Sequence, residues 1–507
     1  MKVANRIIFN TVVLYVKIIL TTLIALVSVP LILKALGTDD YGLYNLVAGV
    51  VAMLSFLNAS MAIATQRYIS VAIGAHNPEK LNTIFNCAVL LHLLIGFILV
   101  VVFEICGLFI FDGFLNIHPD RIPAAETIYQ FMVLSVFLNV ITVPYGAVMN
   151  AKENMLAASV IGVIDSVLKL LLAMSLSLYG RDRLVFYGVG ITFISLCNVI
   201  FSRSYVRIKY KEFFFSPKKY FDGGAFKSMF GFAGWNVFGA VANIGRNQGI
   251  AVVMNLFLGT AINAAYGIAN QVNGALRNLT TVCRKAINPQ LMQSEGMGDR
   301  DRLRRMAFVL SKVSFIILAC FAVPLIVEMP YVIKLWINDA PAYTVAFCQL
   351  ILVLSMLQQY SNGLMSAVQA VGKIGLYQAI MGILLLLNVP ICYMLMKEGC
   401  PPYYCFVCFI VLEALSLLVR MLFAQSLANI TIPSFATKVI LPSLVSVGIA
   451  LAASYPLHLV MDESFLRLVC VAVCYMIVYM AALWFICIDK YERKITSSFL
   501  YGIKKLF

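Results

Sequence analysis

The chain has 507 residues, 62% of them hydrophobic and 12% charged, with a formal net charge of +15 and a mean hydropathy of +0.92. An ordinary soluble domain carries about 25% charged residues, so composition excludes a water-soluble fold and leaves no stretch for a separate aqueous domain. A basic nucleic-acid binder is excluded too, because such proteins display their charge on a polar, soluble surface.

A helix of about 20 apolar residues crosses a hydrocarbon core of about 30 Å, and runs of that kind recur from end to end. They predict helices near 8–33, 42–66, 82–111, 123–149, 155–179 and 184–205 in a first half. A second half follows near 225–257, 260–284, 306–329, 342–370, 374–396 and 402–424, with two further helices near 436–459 and 464–487. The expected fold is an all-α polytopic membrane protein of about 14 transmembrane helices. Its parts are an N-lobe over 1–209, a connector over 210–224, a C-lobe over 225–425, the added pair within 436–487 and a basic tail over 488–507. Lys2 and Arg6 precede the first apolar run as in a signal peptide, but the run continues to Leu33 with no small-residue cleavage site and is expected to stay as the first helix.

Lys and Arg are retained in short cytoplasmic loops. With a cytoplasmic N-terminus, most of the 38 basic residues fall inside, among them Arg203, Arg207, Lys209, Lys211, Arg300, Arg302, Arg304, Arg305, Arg420 and Lys490. Only Lys34, Arg121, Arg181, Arg183, Lys334, Lys397 and Arg467 fall in outside loops. Both termini are therefore expected on the cytoplasmic face, the membrane itself being read as a bacterial inner membrane through the family resemblance given below.

The sequence repeats internally. Leu36-Gly37-Thr38 with Tyr41-Gly42 returns as Leu258-Gly259-Thr260 with Tyr266-Gly267, an offset of 222 at the triplet, and Gly74 and Leu81 match Gly296 and Leu303 at the same offset. Six helices per half place both repeats in the same orientation, as in transporters built from two rocking lobes with substrate bound between them. The connector, Tyr210 to Phe221, mixes bases with aromatics and is expected to rest on the cytoplasmic headgroup layer, as is the tail. Most of the 13 cysteines lie in apolar runs as small hydrophobes; Cys400 and Cys405 could pair if their helix end faces an oxidising compartment.

Ionised groups inside a membrane helix cost about 2.5–3.5 kcal/mol on insertion scales and call for a partner or a wet cavity. Lys17 shares a face of the first helix with Asn10, Thr21 and Ser28, and Asn58 and Thr65 stand seven apart on the second. The seventh helix places Asn236, Asn243, Arg246 and Asn247 at helical intervals, with Gly245 and Gly249 as expected bending points; the eighth carries Asn270, Asn273, Arg277, Thr281 and Arg284 in one stripe. These residues predict a cationic, water-filled cavity bordered by helices one, two, seven and eight, charged by Lys17, Arg246 and Arg277 and suited to an anionic group such as a diphosphate. The bland alternative is that the bases pair with buried acids or snorkel to an interface. Asp165 and Lys169, four apart, either neutralise each other or form a proton or sodium site. Glu104 and Glu413 read as lone acids, each protonated and hydrogen-bonded or else ion-coupling.

No enzyme motif, cofactor site or metal-ligand spacing is found; His76, His92, His118 and His458 are scattered. The two six-helix halves, the Leu-Gly-Thr…Tyr-Gly step after each first helix and the added final pair together resemble the polysaccharide flippases of the multidrug/oligosaccharidyl-lipid/polysaccharide exporter (MOP) superfamily. The resemblance covers essentially the whole chain through architecture and diffuse motifs. It implies a monomeric flippase that carries a polyprenyl-diphosphate-linked oligosaccharide of the capsule or O-antigen type by alternating access. It also implies that the substrate's lipid tail stays among the membrane lipids through a lateral opening, with the last two helices compatible with a groove for it, and that H+ or Na+ or the membrane potential, not a nucleotide, supplies energy. The rivals are a small-molecule cation antiporter of the same superfamily, expected to place acids in its cavity, and a membrane polymerase or glycosyltransferase, expected to need a sizeable external loop.

Overall fold

The computed structural model describes residues 3–53, 55–109, 111, 118–337 and 339–488. Every described segment is helix, turn or loop, and twelve candidate membrane spans follow from length and hydropathy. Two of them, Arg6–Gly49 and Gly223–Gly296, run through a glycine whose backbone is not helical, Gly37 and Gly259. Division at these glycines turns twelve into fourteen helices among the described residues. The first is α1, 3–36, and α2 takes 38–53 and Ser55–Gly74. Next come α3 Pro78–Phe109, α4 Ile122–Ala151, α5 Met155–Ser175 and α6 Arg183–Lys209. The second set begins with α7, 223–258, and α8, 260–296, followed by α9 Arg300–Val327 and α10 Thr344–Val371. It ends with α11 Gly375–Lys397, α12 Tyr404–Ala428, α13 Ile432–Val460 and α14 Phe465–Cys487.

The helix starts follow local side-chain chemistry, since a side-chain oxygen that accepts a first-turn N–H satisfies a donor the helix cannot. Asn154 accepts from Ala157, Asp182 from Leu184 and Val185, Asp299 from Arg302, and Ser464 from Arg467. Helices α2 and α8 extend well past the sequence prediction, to Gly74 and Gly296. Their added turns carry Arg67, Lys285 and Gln293, which hydropathy alone assigns to loops.

The chain divides into two units, Ile8–Val237 and Phe238–Phe507 together with Met1–Ile7. In the first, Ala125, Ile128, Tyr129, Val133 and Leu184 form a core between α4 and α6. In the second, Leu318, Phe347, Leu352, Cys392 and Phe406 do so between α9, α10, α11 and α12. Elsewhere large side chains such as Leu26, Leu108, Phe193, Leu256, Ile383 and Ile477 point outward, the arrangement expected of helices surrounded by lipid. The chain is an all-α polytopic membrane protein.

Several expectations are corrected by the packing. The connector does not simply rest on lipid: Phe213 is buried against Phe85, and Asn86 donates to the Phe214 carbonyl at 3.1 Å and accepts from the Ser216 N–H at 2.6 Å. Lys152 pairs with Glu212 at 2.7 Å, so the segment is fastened to α3 and to the end of α4. Gly245 and Gly249 keep helical backbone angles, the break in this stretch lying at Gly259. A Cβ at Gly249 would lie 2.7 Å from Val389 and one at Gly245 3.3 Å from Leu386, so these glycines let α7 approach α11. Cys400 and Cys405 are free thiols. The tail from Lys490 onward lies outside the described residues.

Candidate functional site

In the second unit α7, α8, α10 and α12 carry two of the three predicted cations, Arg246 and Arg277, along with groups the sequence reading did not assign. Arg246 is 6% exposed. Its Nη2 donates to Asn243 Oδ1 at 3.0 Å, its Nε to Asn247 Oδ1 at 3.3 Å, and its guanidinium lies over the Phe409 ring at 5.5 Å. All of these contacts are neutral, and among the described residues no carboxylate reaches Arg246 within ion-pair distance. One and three residues away on a helix, the two amides are positioned by α7 itself, and the Tyr266 hydroxyl on α8 donates to the Asn247 carbonyl at 3.4 Å.

The polar stripe on α8 is largely engaged. Asn270 donates to the Tyr266 carbonyl at 3.1 Å, and Asn273 accepts from the Ser355 hydroxyl of α10. Arg277 keeps an exposed side chain, while its carbonyl accepts from Thr280 and Thr281 at 3.0 Å. Glu413 is the acid of this region and is 3% exposed. It is not a lone acid: Arg420 Nη1 pairs with its Oε1 at 2.5 Å, and Gln358 donates to Oε2 at 3.4 Å. Arg420 in turn donates to Ser361 Oγ at 2.7 Å. Arg420 lies within α12, as the predicted helix 402–424 has it, and its side chain is largely buried. Among the described residues only Arg420 forms an ion pair with Glu413. Glu413 is matched by Arg420, and among the described residues no ion pair neutralises Arg246 or Arg277.

Sequence signals for the missed pairing and for the α10 members exist. Glu413 and Arg420 stand seven apart, two turns along one face, and Gln358, Gln359 and Asn362 interrupt an otherwise apolar helix. Gln359 donates to the Ser355 carbonyl and accepts from Asn362, both at 2.9 Å, which makes α10 the polar wall of the cluster.

The remaining predicted residues belong to the first unit. Lys17 rests against α5, where a Cβ added at Gly162 would lie 2.6 Å from its Nζ. Asp165, three residues on, pairs with Lys169 at 2.8 Å. The polar face of α1 is weaker than its spacing implies, because Thr21 donates to the Lys17 carbonyl at 2.9 Å and Ser28 to the Ile24 carbonyl at 2.8 Å. Asn10 donates to the Glu153 carbonyl at 3.0 Å. Asn58 Oδ1 and Thr65 Oγ1 are buried with no hydrogen-bond partner among the described residues. Glu104 is not alone either, since Gln130 of α4 donates to its Oε2 at 3.0 Å.

Comparison with known proteins places this architecture. The MatE family model matches residues 14–174, all within the first unit. None of the curated proteins matches the chain. Among solved structures, MATE in the bent conformation superposes with a TM-score of 0.74 at 14% identity, covering 86% of this chain and 100% of its own. A MOP superfamily transporter from Pyrococcus furiosus, described by its reversed binding-pocket polarity as suggesting a different function, gives 0.72 at 14% identity, with 85% and 96% covered. An outward-facing multidrug resistance MATE family transporter of the MOP superfamily gives 0.70 at 14% identity over the same shares. At such identities the likeness shows architecture alone, and the chain has the fold of the MATE transporters.

Proposed function

We propose that the chain is an ion-coupled secondary transporter that exports an anionic amphiphile by alternating access, binding the negative group at Arg246 and Arg277. The observation that carries this reading is the charge balance of the second unit. Arg246 is buried among amides and a ring, and the nearby carboxylate is already taken by Arg420. A buried guanidinium with only neutral partners gains most from a ligand that brings the missing charge, and Arg binds carboxylate, sulfonate or phosphate through paired charge-assisted bonds. Among the ion-coupling candidates we favour Asp165, whose charge is matched by Lys169 one turn away, over Glu104, which a neutral amide holds. Both termini are placed on the cytoplasmic side on the strength of the basic-residue distribution.

The structural likenesses favour a small-molecule antiporter over a lipid-linked oligosaccharide flippase, since one of the similar folds is described as a multidrug resistance transporter. A polyprenyl-diphosphate-linked oligosaccharide is the second reading. It is favoured by the cationic cluster and by the part of the chain, beyond the 85% covered, that has no counterpart in those structures. The experiment is equilibrium binding to the full chain in nanodiscs with three probes: farnesyl diphosphate, an anionic bile salt and tetraphenylphosphonium. Binding of either anion, weakened about tenfold or more by Arg246→Gln, supports the reading. Retention of the cation alone, unaffected by Arg246→Gln, defeats it, and the ratio of the two anions separates the substrate classes.

A further inference from the structure

The two helices that follow the twelfth, α13 and α14, meet the rest of the second unit along α9, and this seam carries buried charge at both ends. At one end lies Glu328, directly after α9 and at the start of the short helix Met329–Trp336. Its side chain is 0% exposed. Oε1 lies 2.8 Å from Nδ1 of His458 at the end of α13; Oε2 accepts from Nε and Nη2 of Arg467, in the first turn of α14, at 3.1 and 3.0 Å. At the other end Lys312, buried within α9, donates from Nζ to the carbonyl of Cys487, the last residue of α14, at 3.1 Å. That carbonyl belongs to the helix end where peptide dipoles concentrate negative charge.

The sixteen residues from Lys312 to Glu328 correspond to about 24 Å at 1.5 Å per residue. The two fastenings therefore sit toward opposite sides of a hydrocarbon core of about 30 Å. Between them the seam is closely packed. Ser443, Ser446, Ala450 and Ser454 give α13 a small buried face, the Tyr360 and Ser443 hydroxyls meet at 3.1 Å, and Tyr475 and Tyr479 stack inside. Simple apolar contact would leave such a pair free to exchange neighbours with lipid, whose tails are equally apolar. A buried carboxylate facing two bases cannot part from them without leaving uncompensated charge in the membrane.

We propose that Glu328 and Lys312 latch α13 and α14 to α9 at both faces of the membrane, so that the added pair moves with the second unit as one body. The inference is independent of the substrate. It is tested by hydrogen exchange on the full chain in nanodiscs of phosphatidylethanolamine and phosphatidylglycerol. In the wild type, amides at 455–470 and 480–487 exchange as slowly as those of α9. Glu328→Gln accelerates 455–470 by about tenfold or more, Lys312→Met accelerates 480–487, and α4 and α6 change in neither. Glu328→Gln combined with Arg467→Gln recovers much of the protection, because it is the stranded charge that opens the seam. The latch is overturned if the wild-type pair exchanges tenfold faster than α9, if neither variant accelerates its own end, or if acceleration spreads evenly over the unit. Should Glu328→Gln fail to fold, the wild-type comparison and Lys312→Met decide.

Discussion

Gly37 and Gly259 stand at equivalent places in the internal repeat and share one backbone conformation, φ 80 and ψ 173 in the first and φ 77 and ψ −172 in the second. This region is essentially closed to residues with a Cβ, and it is where the Leu-Gly-Thr step turns one membrane helix into the next. The surroundings are not shared. In the first unit the turn is clamped by Arg121, which reaches Asp40 at 2.9 and 2.5 Å and Asp182 at 2.9 Å, with Arg183 donating to the Ala35 carbonyl at 2.9 Å. In the second, Ile262 takes the place of Asp40, and the turn is bordered by Phe257 stacked edge-on to Tyr393.

Substitution of either glycine tests this reading. No atom lies within 4 Å of a Cβ built at Gly37 or Gly259, so the penalty comes from the backbone alone. Gly37→Ala and Gly259→Ala are each expected to cost about 1–3 kcal/mol. Gly267→Ala, helical with equally open surroundings, is expected to gain up to about 1 kcal/mol. Thermal unfolding of the purified protein in one detergent ranks the three, and equal melting temperatures would contradict the assignment.

Gly363 is expected to be less replaceable for a different reason. A Cβ there would run into the Ala307 carbonyl oxygen of α9 and lie 2.6 Å from Ser311 Oγ, where the backbone of α9 cannot give way. Gly363→Ala should cost about 3 kcal/mol or more through overpacking. Gly162→Ala, which meets only the flexible tip of Lys17, should stay within about 1 kcal/mol. Melting curves of the two variants in parallel check the contrast.

For the buried pair on α12, Glu413→Gln strands the Arg420 charge and is expected to destabilise by about 3–5 kcal/mol. Glu413→Gln with Arg420→Gln should lose clearly less than the two single losses added, because the double variant leaves no buried charge unpaired. A double-mutant cycle by denaturant unfolding measures the coupling; additivity would show that the two groups act independently.

Acid should loosen the part of the first unit around the start of α6. Partial burial pushes the Asp182 carboxyl up, but the Val185 and Leu184 N–H groups and the Arg121 guanidinium outweigh this and hold it below the usual carboxylate range. A carboxyl depressed in the folded state stabilises above its unfolded value of about 4 and loses that contribution as pH falls through the folded value. Stability is therefore expected to decline below about pH 4, and Asp182→Asn should flatten that slope. Unfolding midpoints between pH 3 and pH 6, run as about four buffers for both proteins, test the sign.

How much was legible from residues alone differs between the fold and the site. The spans were readable because a helix that crosses lipid must be apolar over its whole length, and the repeat was readable because a Gly-only conformation keeps its glycine at both copies. The Asp165 and Lys169 pair was readable as well, lying one turn apart on a single helix. The neighbourhood of Arg246 is readable in part: Asn243 and Asn247 bind it because they share its helix, whereas its burial does not follow from that spacing.

The partner of Glu104 on α4 was not legible, nor was the connector's docking onto Asn86. Arg121 meets Asp40 across 81 residues, Arg467 meets Glu328 across 139, and Lys312 meets Cys487 across 175. The sequence by itself determined which segments enter the membrane, where the chain turns between them, and which face of each helix is polar, because these follow from local periodicity and backbone limits. The tertiary structure alone decided which charge is neutralised and which is left over, because a helix face specifies a direction, while the group it meets comes from a distant helix brought close only by packing.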